Sequence, residues 1–318
     1  MIDARQPTSR DTAFALRDPF AWRAFSGLVR QGEALGYAAV FLPEIAGRDA
    51  LVTLGMLAGE TERLLLGTGV IPMSSRTTVL AGMAAASVHE RAGGRLVLGV
   101  GTGPAVPGSL DRLRAQIEAL RPLLAGERVE VDGRTLQLSL VPDRPIPIWI
   151  AALGPRAMRM AGEIADGVLL NWCSPERLSG ARMEVAEGAD AAGRDASDVV
   201  IAVYVRASLG ADDPSSMSAL KAAAGEYAAY PAYGRAFALM GLGDEAEAAA
   251  DAHRSGSIDD VPEALVRAAC LVGDVDGARS RLDAYRAAGA DLPVVYPVGA
   301  GEDRPDSVSR TLAVMAPD

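Results

Sequence analysis

Cysteine is almost missing from this 318-residue chain: Cys173 and Cys270 are the whole supply. A disulfide framework is therefore excluded, and two separate reduced thiols are expected. Histidine is equally scarce. His89 and His253 lie far apart, no metal-ligand spacing surrounds either, and no metal site is predicted. Basic residues are outnumbered 31 to 41 by acidic ones and are scattered, which gives a formal charge of −10 and leaves no basic face for nucleic acid. No apolar run reaches the roughly 18 residues of a membrane span. The stretch Met1–Arg10 is polar and lacks the apolar centre of a signal peptide, so a cytoplasmic protein is expected.

Glycine and aliphatic residues are plentiful, and they come in alternating blocks. Apolar, β-branched runs predict strands at Thr12–Leu16, Ala38–Leu42, Leu64–Thr68, Arg95–Val100, Ile146–Ala152, Gly167–Asn171, Val199–Leu209 and Leu292–Tyr296. Helical spacing predicts helices at Phe20–Leu35, Asp49–Glu62, Arg76–Arg91, Asp111–Leu124, Pro155–Ala165, Pro175–Ala192, Val261–Leu271, Val275–Ala288 and Ser307–Met315. Strand and helix alternate at about thirty residues per unit, the pattern of parallel βα units, and the strand candidates favour a (β/α)8 TIM barrel over an open sheet. Two pieces stand outside that repeat. Asp132-Gly133 between Arg128–Val131 and Thr135–Leu138 reads as a two-residue hairpin turn. An alanine-rich stretch after the seventh strand, about residues 212–260, reads as a helical insertion and a candidate lid. The whole chain is read as one barrel domain.

The residues with chemical potential gather where the predicted strands end, which is the face where such barrels bind small molecules. Two apolar runs exit into glycine-rich backbone, Leu66–Pro72 and Leu98–Gly103. At the first, Gly69-Val70 precedes Pro72, which stops ladder pairing; on local signals alone a simple bulge is the favoured reading. At the second, Thr102 brings a hydroxyl beside Gly103. The glycine pattern there is not a dinucleotide fingerprint, because no acidic residue follows at the required distance. After Ala151 and Ala152, the segment Leu153-Gly154-Pro155-Arg156 leads into a helix whose first N–H groups and dipole suit an anion, with Arg156 as an added charge. Glu44, after Pro43, is the candidate proton-transfer or substrate-orienting group. Arg17, Asn171 and Trp172 end other strands and are candidate substrate contacts; a surface ion pair for Arg17-Asp18 and core packing for Trp172 are the plain alternatives. Cys173 has no histidine near it in sequence and is not read as a nucleophile.

Taken together, these segments resemble the bacterial luciferase-like oxidoreductases, and especially the branch using the deazaflavin coenzyme F-420. The resemblance rests on Leu-Gly-Thr-Gly-Val-Ile-Pro at 66–72, Gly-Gly-Arg-Leu-Val-Leu-Gly-Val-Gly-Thr-Gly at 93–103, Ile-Pro-Ile-Trp-Ile-Ala-Ala-Leu-Gly-Pro at 146–155 and Ala-Gly-Glu-Ile-Ala-Asp-Gly-Val-Leu-Leu-Asn at 161–171. Leu-Gly-Tyr at 35–37 and Ala-Gly-Ala-Asp-Leu-Pro-Val at 288–294 fit as well. The resemblance implies a luciferase-like barrel with a flavin-like ring at its C-terminal mouth. It implies a non-proline cis peptide at Gly69-Val70 behind the ring, Thr102-Gly103 beside it, and a phosphate tail near Leu153-Gly154-Pro155-Arg156. It also implies hydride transfer between C5 of the deazaflavin and a small organic substrate, and dimerisation through barrel helices. Two positions depart from the family's sugar dehydrogenases. Pro43-Glu44-Ile45 stands where those enzymes carry an Asp-His pair, and Pro104 stands where many relatives have an acid. An FMN-dependent monooxygenase and a non-catalytic ligand-binding barrel remain as alternatives.

Overall fold

The computed structural model describes residues 7–8, 10–17, 19–131, 133–209 and 214–317. Among them, eight parallel strands close on themselves: β1 (Ala13–Ala15), β2 (Ala39–Leu42), β3 (Leu65–Thr68), β4 (Leu96–Gly101), β5 (Ile148–Ala152), β6 (Gly167–Asn171), β7 (Val200–Ala207) and β8 (Leu292–Pro297). β1 pairs with β8 on one side and β2 on the other, while β7 joins β6 to β8, so the ring has no open edge. The helices α1 (Trp22–Ala34), α2 (Ala50–Leu57), α3 (Thr78–Arg91), α4 (Ser109–Leu124), α5 (Pro155–Ile164) and α6 (Pro175–Ala191) follow the first six strands in turn. Between β7 and β8 lie α7 (Pro214–Ala228), α8 (Pro231–Ala238), α9 (Gly243–Ser255), α10 (Glu263–Ala269) and α11 (Val275–Ala287); α12 (Arg304–Val314) closes the chain's described part. This is the (β/α)8 barrel that the alternating pattern predicts.

Side chains alternate across each strand, and this divides the apolar residues into two cores. Val40, Leu66, Leu98, Ile150, Val203 and Val295 face outward onto the helices. Phe41, Leu65, Val97, Trp149, Leu169 and Tyr204 fill the lumen. A third cluster belongs to the helices after β7, where Leu220, Phe237, Ala249 and Leu265 pack around Trp172.

The helix boundaries differ from the sequence pattern for local reasons. α2 stops at Leu57, short of Glu62, because the Glu33 carboxylate accepts from the backbone N–H groups of Glu62, Arg63 and Leu64 and draws the chain towards β3. α3 starts at Thr78 because Thr77 caps it, accepting from the Leu80 N–H at 3.3 Å. The helix expected through Leu271 ends at Ala269: Cys270–Leu271 instead pairs with β7, Cys270 opposite Arg206. In the expected hairpin, Val129–Val131 pairs with Arg134–Leu136. Of its turn, Gly133 has φ +71°, while Asp132 lies outside the described residues, as does Asp18.

Candidate active site

Inward-facing positions at the C-terminal ends of β3, β4 and β5 carry almost no side chain. Continuing the lumen alternation places Gly67 and Gly69 above Leu65, Gly99 and Gly101 above Val97, and Ala151 above Trp149. Crowding enforces part of this. A Cβ at Gly99 would lie 2.0 Å from the Thr68 carbonyl oxygen, and one at Gly69 would lie 1.7 Å from the Tyr204 hydroxyl. The Gly69-Val70 peptide is cis, and after it Ile71–Pro72 pairs with the end of β4. Tyr204 donates to the Gly69 carbonyl at 3.2 Å. Burial, followed by the neighbouring Tyr296 and Tyr227, pushes the Tyr204 hydroxyl far above its ordinary value, so it keeps its proton and acts as a donor. Gly69, Val70, Thr102 and Ala151 are half-buried, leaving a low shelf of main chain and small groups at the mouth.

Beside that shelf, Leu153 and Gly154 lead into α5, with Pro155 in its first turn and no side chain capping its N-terminus. A Cβ at Gly154 would meet nothing within 4 Å. Arg156 is exposed on the rim, 4.0 Å from Asp111. Ala152 and Leu153 share a small pocket with Met158, Asn171, Trp172 and Cys173, so candidate residues from β5 and β6 meet in one place. The Thr102 hydroxyl donates to the Gly103 carbonyl at 3.0 Å.

The other side of the mouth is crowded with polar and aromatic groups. Asn171, Arg206 and Tyr296 are the top inward positions of β6, β7 and β8. Arg206 is 2% exposed. Its Nη1 donates to Asn171 Oδ1 at 2.7 Å, and Asn171 Nδ2 donates to the Tyr233 hydroxyl at 2.8 Å. The guanidinium carbon lies 4.1, 4.4 and 4.7 Å from the ring centres of Trp172, Tyr227 and Tyr296. Trp172 sits in the left-handed region at φ +52°, rare for a large residue, and is buried against Tyr227 and Phe237. Arg17 reaches across to α7 and pairs with Glu226 at 3.0 Å. Burial works against the Arg17 charge, but the Glu226 hydrogen bond together with the electrostatic pull of Tyr227, Glu226 and Tyr296 outweighs it, and the pKa is raised.

Glu44 stands between the two sides. Its Oε1 accepts from Arg76 Nε at 3.3 Å; its Oε2 accepts from Arg76 Nη2 and from the Ala50 N–H, both at 2.9 Å. Both oxygens are engaged, so the carboxylate expected to transfer a proton or orient substrate is tied to Arg76 and the start of α2. Burial pushes the Cys173 and Cys270 thiols up to about 12 each, so neither is an activated nucleophile. Sequence reading missed Arg206, Tyr204, Tyr227, Tyr233 and Tyr296. For Tyr204, Arg206 and Tyr296, period-two alternation from Val200 and Leu292 was the available signal. No sequence signal places Tyr227 and Tyr233, which arrive on helices from the excursion.

A family model described as luciferase-like monooxygenase matches residues 2–292. A Mycobacterium tuberculosis protein provisionally named a coenzyme F-420-dependent oxidoreductase is 30% identical over 309 residues, covering 84% of this chain and 89% of that protein. A 5,10-methylenetetrahydromethanopterin reductase of Methanolobus tindarius is 34% identical over 185 residues; the match covers 54% of this chain and only 57% of the reductase. Among solved structures, the coenzyme F-420-dependent tetrahydromethanopterin reductase of Methanopyrus kandleri superposes with a TM-score of 0.77 at 21% identity, covering 96% of this chain and 97% of that one. At that identity the likeness is one of fold.

Proposed function

The chain belongs to the luciferase-like monooxygenase family, and we propose that it is an oxidoreductase that uses coenzyme F-420 to exchange hydride with a small organic substrate. The observation that carries this reading is the low shelf of Gly69, Val70, Thr102 and Ala151, where a flat ring can rest on main chain. The full-length similarity to the M. tuberculosis protein named for this coenzyme supports it. When bound, the coenzyme supplies the two-electron chemistry; the protein supplies position and shielding. Gly69 and Val70 back the ring, Thr102 and Gly103 border it, and Tyr204 holds the Gly69 carbonyl in place. Ala152, Leu153, Gly154, Pro155 and Arg156 receive the anionic tail at the uncapped start of α5, where open space beside Gly154 fits a phosphate. Arg17, Asn171 and Trp172 wall the substrate side. Glu44 orients the rim through Arg76.

The family's name keeps a second reading in view: reduced FMN with oxygen on the same shelf. Anaerobic titrations with coenzyme F-420 and with FMN separate the two. The deazaflavin is expected to bind tighter, and Gly154→Glu is expected to abolish its binding without unfolding the chain, because the added side chain enters open space. Oxygen uptake with reduced FMN, or tail binding undisturbed by Gly154→Glu, would overturn the assignment.

We also propose a homodimer. Val52 and Met56 on α2 and Leu80 and Met83 on α3 are 48–64% exposed on adjacent helices, an apolar patch suited to a second copy. Among the described residues no helix is long and apolar enough to cross a membrane. The two unpaired thiols fit the cytoplasm, where we place the protein.

A further inference from the structure

Among the described residues two arginines are buried, and the fold treats them differently. Arg95, at the start of β4, is 5% exposed and surrounded by acceptors. Its Nε donates to the Ala92 carbonyl, Nη1 to the Leu64 carbonyl and the Thr61 hydroxyl, and Nη2 to the Ala58 and Thr61 carbonyls. Every nitrogen of that guanidinium has a partner. Arg206 is more deeply buried, yet its Nη1 meets only a neutral amide, and its Nη2 has neither solvent nor a hydrogen-bond partner among the described residues. Three aromatic rings soften the cost of burying the charge, but rings do not satisfy an N–H. Arg17, which feels the same Tyr227 and Tyr296, has its own carboxylate in Glu226. Among the described residues, then, one cation of the mouth has an anion and the other has none.

We propose that Arg206 anchors a carboxylate of the substrate, so that this enzyme acts on a small carboxylic acid. The inference rests on the oxidoreductase reading and names its substrate class. A carboxylate beside Nη2 supplies the missing acceptor and the missing charge together, and charge-assisted pairs with arginine are the strong ones. The location fits. Arg206 is the inward residue directly above Tyr204, whose hydroxyl holds the Gly69 carbonyl under the shelf. A carboxylate held there lies beside a ring resting on that shelf. Of the three rings around the guanidinium, Trp172 and Tyr296 belong to the barrel, while Tyr227 belongs to α7. In this proposal the carboxylate reaches the charge by displacing α7, whose tie to the barrel through Arg17–Glu226 is partly exposed.

The test uses the cofactor-free full chain and follows Trp172 fluorescence, with Trp172→Phe as the signal control. Sodium acetate and sodium benzoate are each titrated against the matching neutral amide. Saturable binding of at least one carboxylate, with none of its amide, is the expected result. Arg206→Lys is expected to weaken that binding about tenfold or more, and Arg206→Met to abolish it. Asn171→Asp leaves Arg206 in place and sets a carboxylate against its Nη1, so it should block the added anion even if Arg206→Met fails to fold. Absence of carboxylate binding in the wild type, equal binding of acid and amide, or unchanged binding in Asn171→Asp overturns the proposal. Coenzyme F-420 titration of the same samples keeps the two ideas apart: coenzyme bound without carboxylate sinks this inference alone, and carboxylate bound without coenzyme sinks the function proposed above.

Discussion

From β3 to β5 the mouth of the barrel is lined by Gly69, Gly99, Gly101 and Ala151; from β6 round to β1 it is lined by Asn171, Arg206, Tyr296 and Arg17. One arc works by lacking side chains, the other by holding them against each other. In the first, packing is so close that an added methyl group strikes the Thr68 carbonyl at Gly99, the Tyr204 hydroxyl at Gly69 and a Val70 methyl at Gly101. In the second, aromatic rings and guanidinium groups interlock, and helices α7 and α8 contribute Glu226, Tyr227 and Tyr233. The difference suggests a division of labour: an arc rigid enough to seat a flat ring, and an arc whose cover can move to admit a substrate.

Removing the largest side chain of the crowded arc should have the greatest effect. Trp172 is buried beneath Arg206 and packs on Tyr227 and Phe237, at the centre of the cluster that holds the excursion. Trp172→Ala is expected to cost about 3–5 kcal/mol in urea denaturation. Limited proteolysis should then cut first within α7–α9, leaving the lumen core protected. Uniform loss of protection around the barrel would show that the two arcs are not separable.

Adding a side chain to the bare arc comes next. At Gly99 the new Cβ would sit 2.0 Å from the Thr68 carbonyl, and the Thr68 hydroxyl already donates to the Gly99 carbonyl at 2.7 Å. Neither backbone can yield without breaking that contact. Gly99→Ala should lose about 3 kcal/mol. Gly101→Ala should lose less, about 1 kcal/mol, because its Cβ meets a methyl of half-buried Val70 at 2.8 Å rather than main chain. Equal losses at the two sites would mean that crowding is not what keeps this arc bare.

The bare arc was the legible one. Glycine is visible in sequence, and its clusters at 67–69 and 99–103 after β-branched runs marked both the strand ends and the shelf. The strand order followed from the same alternation. The crowded arc was read only in part. Asn171, Trp172 and Arg17 stand at strand ends and could be named. Arg206 lies inside a strand run, and only the period-two alternation counted from Val200, not its own charge, points it into the lumen. Tyr227 and Tyr233 reach the site by tertiary packing of a helical excursion, which no periodicity within the excursion reveals. Glu44 was visible, but Arg76, more than thirty residues away, was not foreseeable as the partner that engages both its oxygens.

Glu44 is where the two arcs meet, and it supports the smallest and sharpest prediction. Arg76 is shared between Glu44 and Asp49, with side chains 10%, 14% and 43% exposed respectively. Burial raises the Asp49 carboxyl, but the Val52 N–H and the Arg76 guanidinium overcome this and hold it below its usual range. Because either acid alone can still pair with Arg76, Glu44→Gln is expected to cost only about 1 kcal/mol, and Asp49→Asn no more. Together they leave the guanidinium without a carboxylate, so the double variant should lose more than the sum of the two, a coupling measurable in a double-mutant cycle of denaturation free energies. A proton-transferring Glu44 predicts a different pattern: a fall of about a hundredfold or more in turnover with stability unchanged and no coupling to Asp49. The geometry favours the first outcome, since both oxygens of the carboxylate are already held, by Arg76 and by the start of α2.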